Sequence, residues 1–344
     1  MRAVFISRHG GPEVLEVRER RDPQVAGGEV RIEVRAAGIN FADLLARTGM
    51  YPDAPKPPCV VGYELAGVVE STGPGVESVA VGDRVMAATR FGGHAELCTV
   101  AERDVIPLPD SLSFEQGAAV PVNYGTAYAG LVLMGGLREG DRVLVHAAAG
   151  GVGLAAVQIA SARGAEVFGT ASASKHDAIR AQGVDHAIDY RTTDFEEAVA
   201  GITGGEGVDI AFDAIGPSSF RKDYRLLRPG GKLVCYGLSE VQTGEGRNLR
   251  AALRSLASMT TATMPWWKSL AIMNENKGVF GLNMLHWWDR EGSLDRVVGP
   301  LRDDLAAGRI EPVVAASFPF DQAADAHRYI HSRRNVGKVV LVPS

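Results

Sequence analysis

One segment constrains the fold more than any other part of the chain. Arg142-Val-Leu-Val-His-Ala-Ala-Ala-Gly-Gly-Val-Gly153 runs from β-branched and apolar residues into a glycine-rich turn, and Leu154-Ala-Ala-Val-Gln-Ile-Ala160 follows at helical spacing. Strand, turn and helix in this order are typical of a dinucleotide-binding βαβ unit. The turn fits G-x-G-x-x-G with Ala148 in the place of the first glycine. We therefore predict that the helix N-terminus holds a pyrophosphate through Gly150, Gly151, Val152 and Gly153.

The alternation of strand and helix patterns continues over residues 123–286. Six segments predict strands: Val143–His146, Glu166–Thr170, Ala187–Asp189, Val208–Asp213, Lys232–Tyr236 and Val279–Leu282. Such alternation predicts a parallel, doubly wound sheet. We therefore expect a Rossmann domain over residues 123–286.

The remainder of the chain has a different pattern. Residues 1–122 are rich in turns, and Glu29-Val-Arg-Ile-Glu-Val-Arg35 alternates apolar and charged residues as a half-buried strand does. The tail, residues 287–344, predicts helices at Leu294–Ala307 and Asp321–His331 and a last strand at Lys338–Val342. We expect this tail to return and complete a β-rich first domain, so the fold class is α/β with two domains.

Composition excludes several classes of function. The 344 residues carry a formal net charge of -5, so the chain has no basic surface for nucleic acid. No apolar run reaches the roughly 18 residues of a transmembrane helix, and no signal peptide is recognisable, which predicts a soluble, cytoplasmic protein without integral membrane association. The three cysteines, Cys59, Cys98 and Cys235, are scattered, and we expect buried, reduced thiols.

The choice between NAD and NADP depends on the end of the second Rossmann strand. An NAD site places a carboxylate there for the ribose 2′-hydroxyl. This chain instead has Phe168-Gly-Thr-Ala-Ser-Ala-Ser-Lys-His176, with no acid before Asp177. The hydroxyls of Ser172 and Ser174 and the charge of Lys175 suit a 2′-phosphate and predict NADPH. The alternative is that Ser174 caps the next helix and Lys175 is a solvated residue of its first turn.

Five motifs of the chain are characteristic when taken together. They are Val145–Gly153, Phe168–His176, Ile188-Asp-Tyr-Arg-Thr-Thr-Asp194, Val122-Asn-Tyr-Gly-Thr-Ala-Tyr128 and Asn335-Val-Gly-Lys-Val-Val-Leu-Val-Pro343. With these motifs the chain resembles the medium-chain dehydrogenase/reductase superfamily, in its zinc-independent quinone oxidoreductase branch. Within that branch they are most similar to the family of the synaptic vesicle amine transport protein and its bacterial relatives.

This resemblance covers nearly the whole chain. It implies a GroES-like catalytic domain, a Rossmann domain, and usually a homodimer formed through edge strands of the Rossmann sheets. It also implies that Lys175 and Tyr190 flank the 2′-phosphate and adenosine. The remaining cofactor-binding residues that the resemblance implies are Asn40, Thr126, Tyr236, Leu282 and Asn335.

The same superfamily contains zinc alcohol dehydrogenases, so the matching ligand positions matter. Catalytic zinc takes three protein ligands of the Cys, His or carboxylate kind. This chain has Asn40, Tyr63 and Val122 in their places, and only Glu64 remains. We therefore expect no metal, which disfavours simple alcohol oxidation, a reaction that depends on a Lewis acid.

Hydride transfer to an electron-poor acceptor needs less assistance. A quinone or an α,β-unsaturated carbonyl takes the hydride at carbon and develops charge on oxygen, which one or two hydrogen-bond donors can stabilise. The resemblance makes Tyr51 and Asn40 the candidate catalytic donors, although Tyr51 read alone is more often a packing residue. Asp43 either orients these donors or caps a helix.

The sequence thus predicts a zinc-independent, NADPH-dependent oxidoreductase acting on a small hydrophobic electrophile. Two alternatives stay open: an NADPH-binding, lipid- or membrane-associated protein with little turnover, and a zinc-free alcohol dehydrogenase.

The pairs Trp266-Trp267 and Trp287-Trp288 either line a cleft or an interface, or simply pack. We expect His146 to be a hydrogen-bonded core residue, and Arg333 and Arg334 to be solvated rather than bound to phosphate.

Overall fold

The computed structural model describes residues 1–241 and 269–344, so Trp266 and Trp267 lie outside the described residues. Within these ranges the chain divides into two compact units. Unit 1 consists of residues 1–125 and 285–344, and unit 2 of residues 126–241 and 269–284. The polypeptide therefore leaves the first unit, builds the second, and returns.

The strands of the described chain are β1 (Arg2–Ile6), β2 (Leu15–Glu19), β3 (Glu29–Ile39), β4 (Cys59–Val60), β5 (Glu64–Thr72), β6 (Arg84–Ala88), β7 (Leu97–Ala101), β8 (Val105–Pro107), β9 (Arg142–Val145), β10 (Glu166–Ala171), β11 (His186–Asp189), β12 (Val208–Asp213), β13 (Leu227–Cys235), β14 (Gly278–Gly281), β15 (Val314–Pro319) and β16 (Lys338–Val342).

Its α-helices are α1 (Phe41–Thr48), α2 (Phe114–Gly117), α3 (Pro121–Tyr128), α4 (Gly151–Ala162), α5 (His176–Arg180), α6 (Phe195–Ile202), α7 (Pro217–Leu226), α8 (Ser269–Glu275), α9 (Met284–Glu291), α10 (Asp295–Val298), α11 (Arg302–Ala306) and α12 (Ala323–His331). A π-helical segment, Ala129–Met134, continues α3.

Unit 1 is built around β3. This long strand pairs antiparallel with β5, β7 and β16, in a sheet of order β15-β16-β3-β5-β6-β8. Alternation along β3 buries Val30, Ile32 and Val34 against Leu65 and neighbouring apolar residues, while the charged residues between them face outward. A smaller sheet, β2-β1-β4, completes the strand pairing. The β-rich, GroES-like character predicted for this part is confirmed.

Unit 2 is a six-stranded parallel sheet of order β11-β10-β9-β12-β13-β14. Its core includes Leu144, Phe168, Ala211 and Leu233. Parallel strands carry near-continuous apolar runs because helices cover both faces. The six predicted strands and their doubly wound arrangement are confirmed, with differences of one to a few residues at their ends.

The tail differs from prediction in one helix. Residues 294–307 form two short helices, α10 and α11, separated by a 3-10 turn at Gly299–Leu301, and not one helix. Pro300 explains the break, because it lacks the N–H that a continuous helix requires and its ring crowds the preceding turn. The last strand, β16, pairs with both β3 and β15.

The cysteines and the longest apolar helices were both the subject of expectations from the sequence. All three cysteines are free, and Cys59 and Cys98 are buried as expected. Cys235, the last residue of β13, is partly exposed, so the expectation of a buried thiol is wrong for this residue. Across the described ranges, no helix combines the length and apolar character that crossing a bilayer would require.

Candidate functional site

The glycine turn of unit 2 has the geometry that its sequence predicts. Gly150 is the N-cap of α4, and no side chain caps that helix. The first N–H groups of an α-helix have no intrahelical partner, so they point outward from the helix start. A Cβ on Gly153 would overlap the carbonyl oxygen of Ala147, whereas one on Gly150 would meet only that oxygen, at 3.3 Å. Gly153 is thus required by internal packing, and Gly150 leaves its outer side open.

Ser172, Ser174 and Lys175 follow the end of β10. The hydroxyl oxygens of Ser172 and Ser174 lie 3.3 Å apart, and Lys175 is partly exposed. Ser174 does not cap the next helix, because α5 begins at His176 with Lys175 as its N-cap. The helix-cap alternative is therefore wrong for Ser174, whose hydroxyl is directed toward Ser172 instead.

Three more predicted cofactor residues leave the same carboxyl edge of the parallel sheet. Ala171 pairs in register with Asp189, so Tyr190 follows β11 next to the end of β10, with 44% of its surface exposed. Tyr236 follows β13 and stacks on Phe212 at 4.0 Å. Leu282 follows β14, and its N–H donates to the carbonyl of Cys235. Thr126, also in unit 2, is buried in α3.

His146 lies directly before the glycine turn and is buried with two carboxylates. Its Nε2 is 2.8 Å from Asp223 Oδ1 and 3.8 Å from Asp213 Oδ2, and its Nδ1 is 3.1 Å from Thr170 Oγ1. Burial alone would lower the pKa of His146, but Asp223 and Asp213 outweigh it and raise that pKa to about 9. A protonated imidazole has no lone pair for a metal. The cluster is therefore a buried ion pair, and the expectation of a hydrogen-bonded core histidine is confirmed.

In unit 1, Asn40 belongs to a buried network around Glu64. Its Nδ2 donates to Glu64 Oε1 at 3.0 Å, and its Oδ1 accepts from Lys338 Nζ at 2.7 Å. The Lys338 ammonium also donates to Glu64 Oε1, and the Val122 N–H donates to Glu64 Oε2 at 2.8 Å. Glu64 is 0% and Lys338 3% exposed. The one carboxylate left at the zinc-ligand positions thus accepts from three N–H donors, one of them a cation.

Asp43 lies in the first turn of α1, and Asn40 is the N-cap residue of the same helix. Its Oδ2 accepts from the Asn40 N–H at 2.7 Å, and its Oδ1 accepts from the Gly62 N–H at 3.0 Å. Burial raises the pKa of Asp43, although His94 and these hydrogen bonds oppose the rise. Asp43 therefore acts as the helix-cap acid of α1 and also ties α1 to the residue before Tyr63.

Tyr51 follows α1 and lies in an aromatic cluster. Its ring meets that of Tyr63 edge-on at 6.2 Å, and Tyr63 lies 5.3 Å from Phe91. Burial, followed by the nearby charges of Asp53 and Asp43, raises the pKa of Tyr51 to about 12. The hydroxyl therefore keeps its proton at neutral pH and can donate it in a hydrogen bond.

The remaining sequence candidates of unit 1 have ordinary partners. Asn335 donates to the carbonyl of Gly337 at 3.0 Å. Arg333 and Arg334 are exposed, as the solvated interpretation predicts. The Trp288 indole N–H donates to Asp104 Oδ1 at 2.9 Å, which accounts for one member of the second tryptophan pair.

Sequence reasoning missed Lys338, which is central to the network of unit 1. The available signal was the position of Lys338 at the start of an apolar strand that was expected to return to the first sheet. A lysine buried there requires an acidic partner, and this requirement points to a carboxylate such as Glu64. It also missed Asp213 and Asp223, which no motif singles out. Both are buried, at the end of β12 and within α7.

The comparisons with known proteins agree with this architecture. Residues 26–110 match the alcohol dehydrogenase GroES-like domain, and residues 182–341 match the zinc-binding dehydrogenase family. The synaptic vesicle membrane protein VAT-1 homolog of Rattus norvegicus is 41% identical over 352 residues, covering 100% of this chain and 84% of that protein.

Solved structures show the same relationship. The Escherichia coli quinone oxidoreductase complexed with NADPH superimposes with a TM-score of 0.85 at 30% identity, over 100% of both chains. The CurK enoyl reductase gives 0.84 at 28% identity, over 100% of this chain and 99% of that one. The chain therefore belongs to the medium-chain dehydrogenase/reductase superfamily. Within it, the chain is similar to the VAT-1 homologues and to quinone oxidoreductases.

Proposed function

We propose that this protein is a zinc-independent, NADPH-dependent oxidoreductase that transfers hydride to a quinone or an α,β-unsaturated carbonyl. One observation carries the proposal. Of the positions where a catalytic zinc would find its ligands, Asn40 and Glu64 are tied to Lys338 in a closed hydrogen-bond network. The other two positions hold Tyr63 and Val122, so acceptor activation falls to hydrogen-bond donors. Electron-poor acceptors are the substrates for which such donors suffice.

The carboxyl edge of unit 2 fits NADPH. The α4 N-terminus offers outward N–H groups to a pyrophosphate, and Gly150 leaves room for it to approach. Ser172, Ser174 and Lys175 supply hydroxyls and a positive charge for a 2′-phosphate. When bound, NADPH supplies the hydride. Thr126, Tyr190, Tyr236 and Leu282 are the further proposed cofactor contacts of unit 2, and Asn335 is a proposed cofactor-binding residue of unit 1.

Tyr51 and Asn40 are the proposed catalytic donors. The Tyr51 hydroxyl, neutral at pH 7, donates to the acceptor oxygen as it gains negative charge. Lys338 and Glu64 each engage one end of the Asn40 carboxamide, which sets its orientation. A carboxamide has two N–H donors, so the second N–H of Asn40 is available for the acceptor or the cofactor. Asn40 is therefore proposed to act in cofactor placement as well.

Zinc independence rests on the same network. A metal at this site would have to displace the Lys338 ammonium from Glu64, and the neighbouring Asn40, Tyr63 and Val122 are not zinc ligands. We expect elemental analysis of the purified protein to find well under one zinc per chain, with turnover unchanged by chelators. About one tightly held zinc per chain would contradict this part of the proposal.

The decisive experiment is a screen of NADPH oxidation with quinones, enones, enoyl thioesters and simple alcohol–NADP pairs. Turnover of a quinone or an enone supports the proposal. Tight NADPH binding without turnover of any acceptor would favour the cofactor-binding protein with little activity. Alcohol oxidation alone would favour the zinc-free alcohol dehydrogenase.

We propose a homodimer formed through the outer strands of the parallel sheet, a small hydrophobic electrophile as substrate, and a cytoplasmic location. In the described part of unit 2, β11 and β14 are the outer strands, and Phe280 on β14 is 39% exposed. Light scattering on the purified protein gives the mass that tests the dimer.

A further inference from the structure

The hydroxyl group of Tyr63 is buried and, among the described residues, has no hydrogen-bond partner. The residue is 7% exposed. Its backbone is held firmly, because its carbonyl accepts from the Thr89 N–H at 2.9 Å and the preceding Gly62 donates to Asp43. A buried hydroxyl without a partner is costly, and phenylalanine would fill the same space without that cost. Since the hydroxyl of Tyr224 in the core of unit 2 is buried in the same way, the surroundings of the Tyr63 hydroxyl decide whether a partner from outside the protein can reach it.

The surroundings of Tyr63 suggest what that partner is. Tyr51 meets its ring edge-on at 6.2 Å, and Phe91 lies against it at 5.3 Å with the planes tilted by 56°. Tyr51 and Phe91 are only partly buried, so the aromatic cluster opens to the surface at these two residues. Aromatic groups favour flat, conjugated partners. Burial raises the pKa of Tyr63, so its hydroxyl is a neutral donor at pH 7.

We propose that Tyr63 is a further catalytic residue, donating a hydrogen bond to the carbonyl oxygen of a flat aromatic acceptor that contacts Tyr51 and Phe91. This inference rests on the proposed function and narrows it to quinones and aryl enones rather than straight-chain enoyl thioesters. In the reaction, bound NADPH would supply the hydride that forms the new C–H bond, the acceptor's π electrons would move to its carbonyl oxygen, and NADP⁺ would be left. The anionic oxygen then takes a proton from water. Tyr63 keeps its own proton throughout.

The test is Tyr63→Phe, measured with 1,4-naphthoquinone as acceptor. We expect kcat/KM to fall by about ten- to a hundredfold, since one donor to a developing oxyanion is lost. The Kd for NADPH should stay unchanged. The melting temperature should be unchanged or raised by about 2–4 °C, because the variant removes only a buried hydroxyl without a partner. A merely structural tyrosine would instead lose stability and activity together.

Tyr224→Phe is the matched control, since Tyr224 is a buried tyrosine in the core of unit 2. It should leave kcat/KM unchanged. Naphthoquinone binding without NADPH, measured by calorimetry, separates this inference from the proposed function. Weaker quinone binding in Tyr63→Phe supports the site even if the wild type does not turn over. Unchanged binding and turnover in Tyr63→Phe, or a lowered melting temperature, would overturn it.

Discussion

Removing one partner of the buried ion pair between Lys338 and Glu64 should destabilise unit 1 strongly. Both side chains are buried, at 3% and 0% exposure, and the ammonium also donates to Asn40 Oδ1 at 2.7 Å. Lys338→Met removes the cation and leaves the carboxylate with the Asn40 Nδ2 and Val122 N–H donors. Breaking a buried ion pair by removing one partner typically costs about 3–5 kcal/mol. The two remaining donors place our expectation at the lower end, about 3 kcal/mol.

The double variant Lys338→Met/Glu64→Gln makes the test specific. Replacing a whole buried pair by neutral groups of similar volume is often close to neutral, so we expect the double variant within about 1 kcal/mol of wild type. The coupling between the two sites would then be about 2 kcal/mol or more. Double-mutant cycles isolate this term from effects that each substitution has alone.

Hydrogen exchange at pH 7 is the appropriate assay, because a protein of two units need not unfold in one step. Peptides from β3, β5 and β16 report the free energy of opening of unit 1, and peptides from β9 and β12 serve as an internal control. A loss below about 1 kcal/mol in Lys338→Met would refute the reasoning. So would a double variant less stable than both single ones.

Four other outcomes follow from the described contacts. Lys175→Ala should weaken NADPH binding about tenfold, or about 1.4 kcal/mol, and leave NADH binding unchanged. Fluorescence titration measures both affinities, and equal wild-type affinities for the two cofactors would contradict the 2′-phosphate assignment. Tyr51→Phe should lower kcat about ten- to a thousandfold at constant NADPH affinity, and unchanged rates on both quinones and enones would remove Tyr51 from the mechanism. Gly153→Ala places a Cβ against the carbonyl oxygen of Ala147 in the glycine turn, so we expect NADPH binding at least about tenfold weaker by the same titration. Wild-type affinity in this variant would show that the turn can move to make room. Burial and the Arg47 charge lower the pKa of His331 from 6.5 to about 4, so the unfolded chain binds more protons between these values and stability is lost as pH falls from 6.5 to 4. Because His331 is only about half buried, we expect it to account for about 1–2 kcal/mol of the acid-induced loss of stability, and His331→Gln should lack this part. Denaturation at pH 4.5 and 7 measures the loss, and equal acid sensitivity of the two proteins would exclude His331 as its source.

The Rossmann part of the molecule was predictable because its signals are local. The strand β9, the glycine turn and the helix α4 lie within the 21 residues from Arg142 to Ala162, and each enforces its own backbone geometry. Gly153, in the first turn of α4, is at a position that excludes any side chain. The βα alternation then fixes the parallel order of the strands. In the tail, by contrast, the single helix predicted over residues 294–307 was wrong, because Pro300 interrupts an otherwise helical pattern.

The candidate site of unit 1 was less predictable because it is assembled from distant segments. Asn40 and Tyr51 could be named only through resemblance to known motifs. Lys338 stands at the head of an apolar strand, but lysine is usually exposed, and its burial follows only once Glu64 meets it in the folded sheet. The missing partner of the Tyr63 hydroxyl is likewise invisible until its neighbours are in place.

The strand β16 also determines when the site of unit 1 can form during synthesis. Glu64 and Lys338 are 274 residues apart in the chain. At about 5–20 residues per second, a ribosome needs roughly 14–55 s to cover that distance. Throughout this interval the carboxylate of the newly made Glu64 lacks the Lys338 ammonium that pairs with it when it is buried. The strands of unit 2, in contrast, are contiguous in the sequence and can pair as soon as they emerge. We expect unit 2 to fold first on the ribosome, and unit 1 to complete its sheet only after residue 338 has left the exit tunnel.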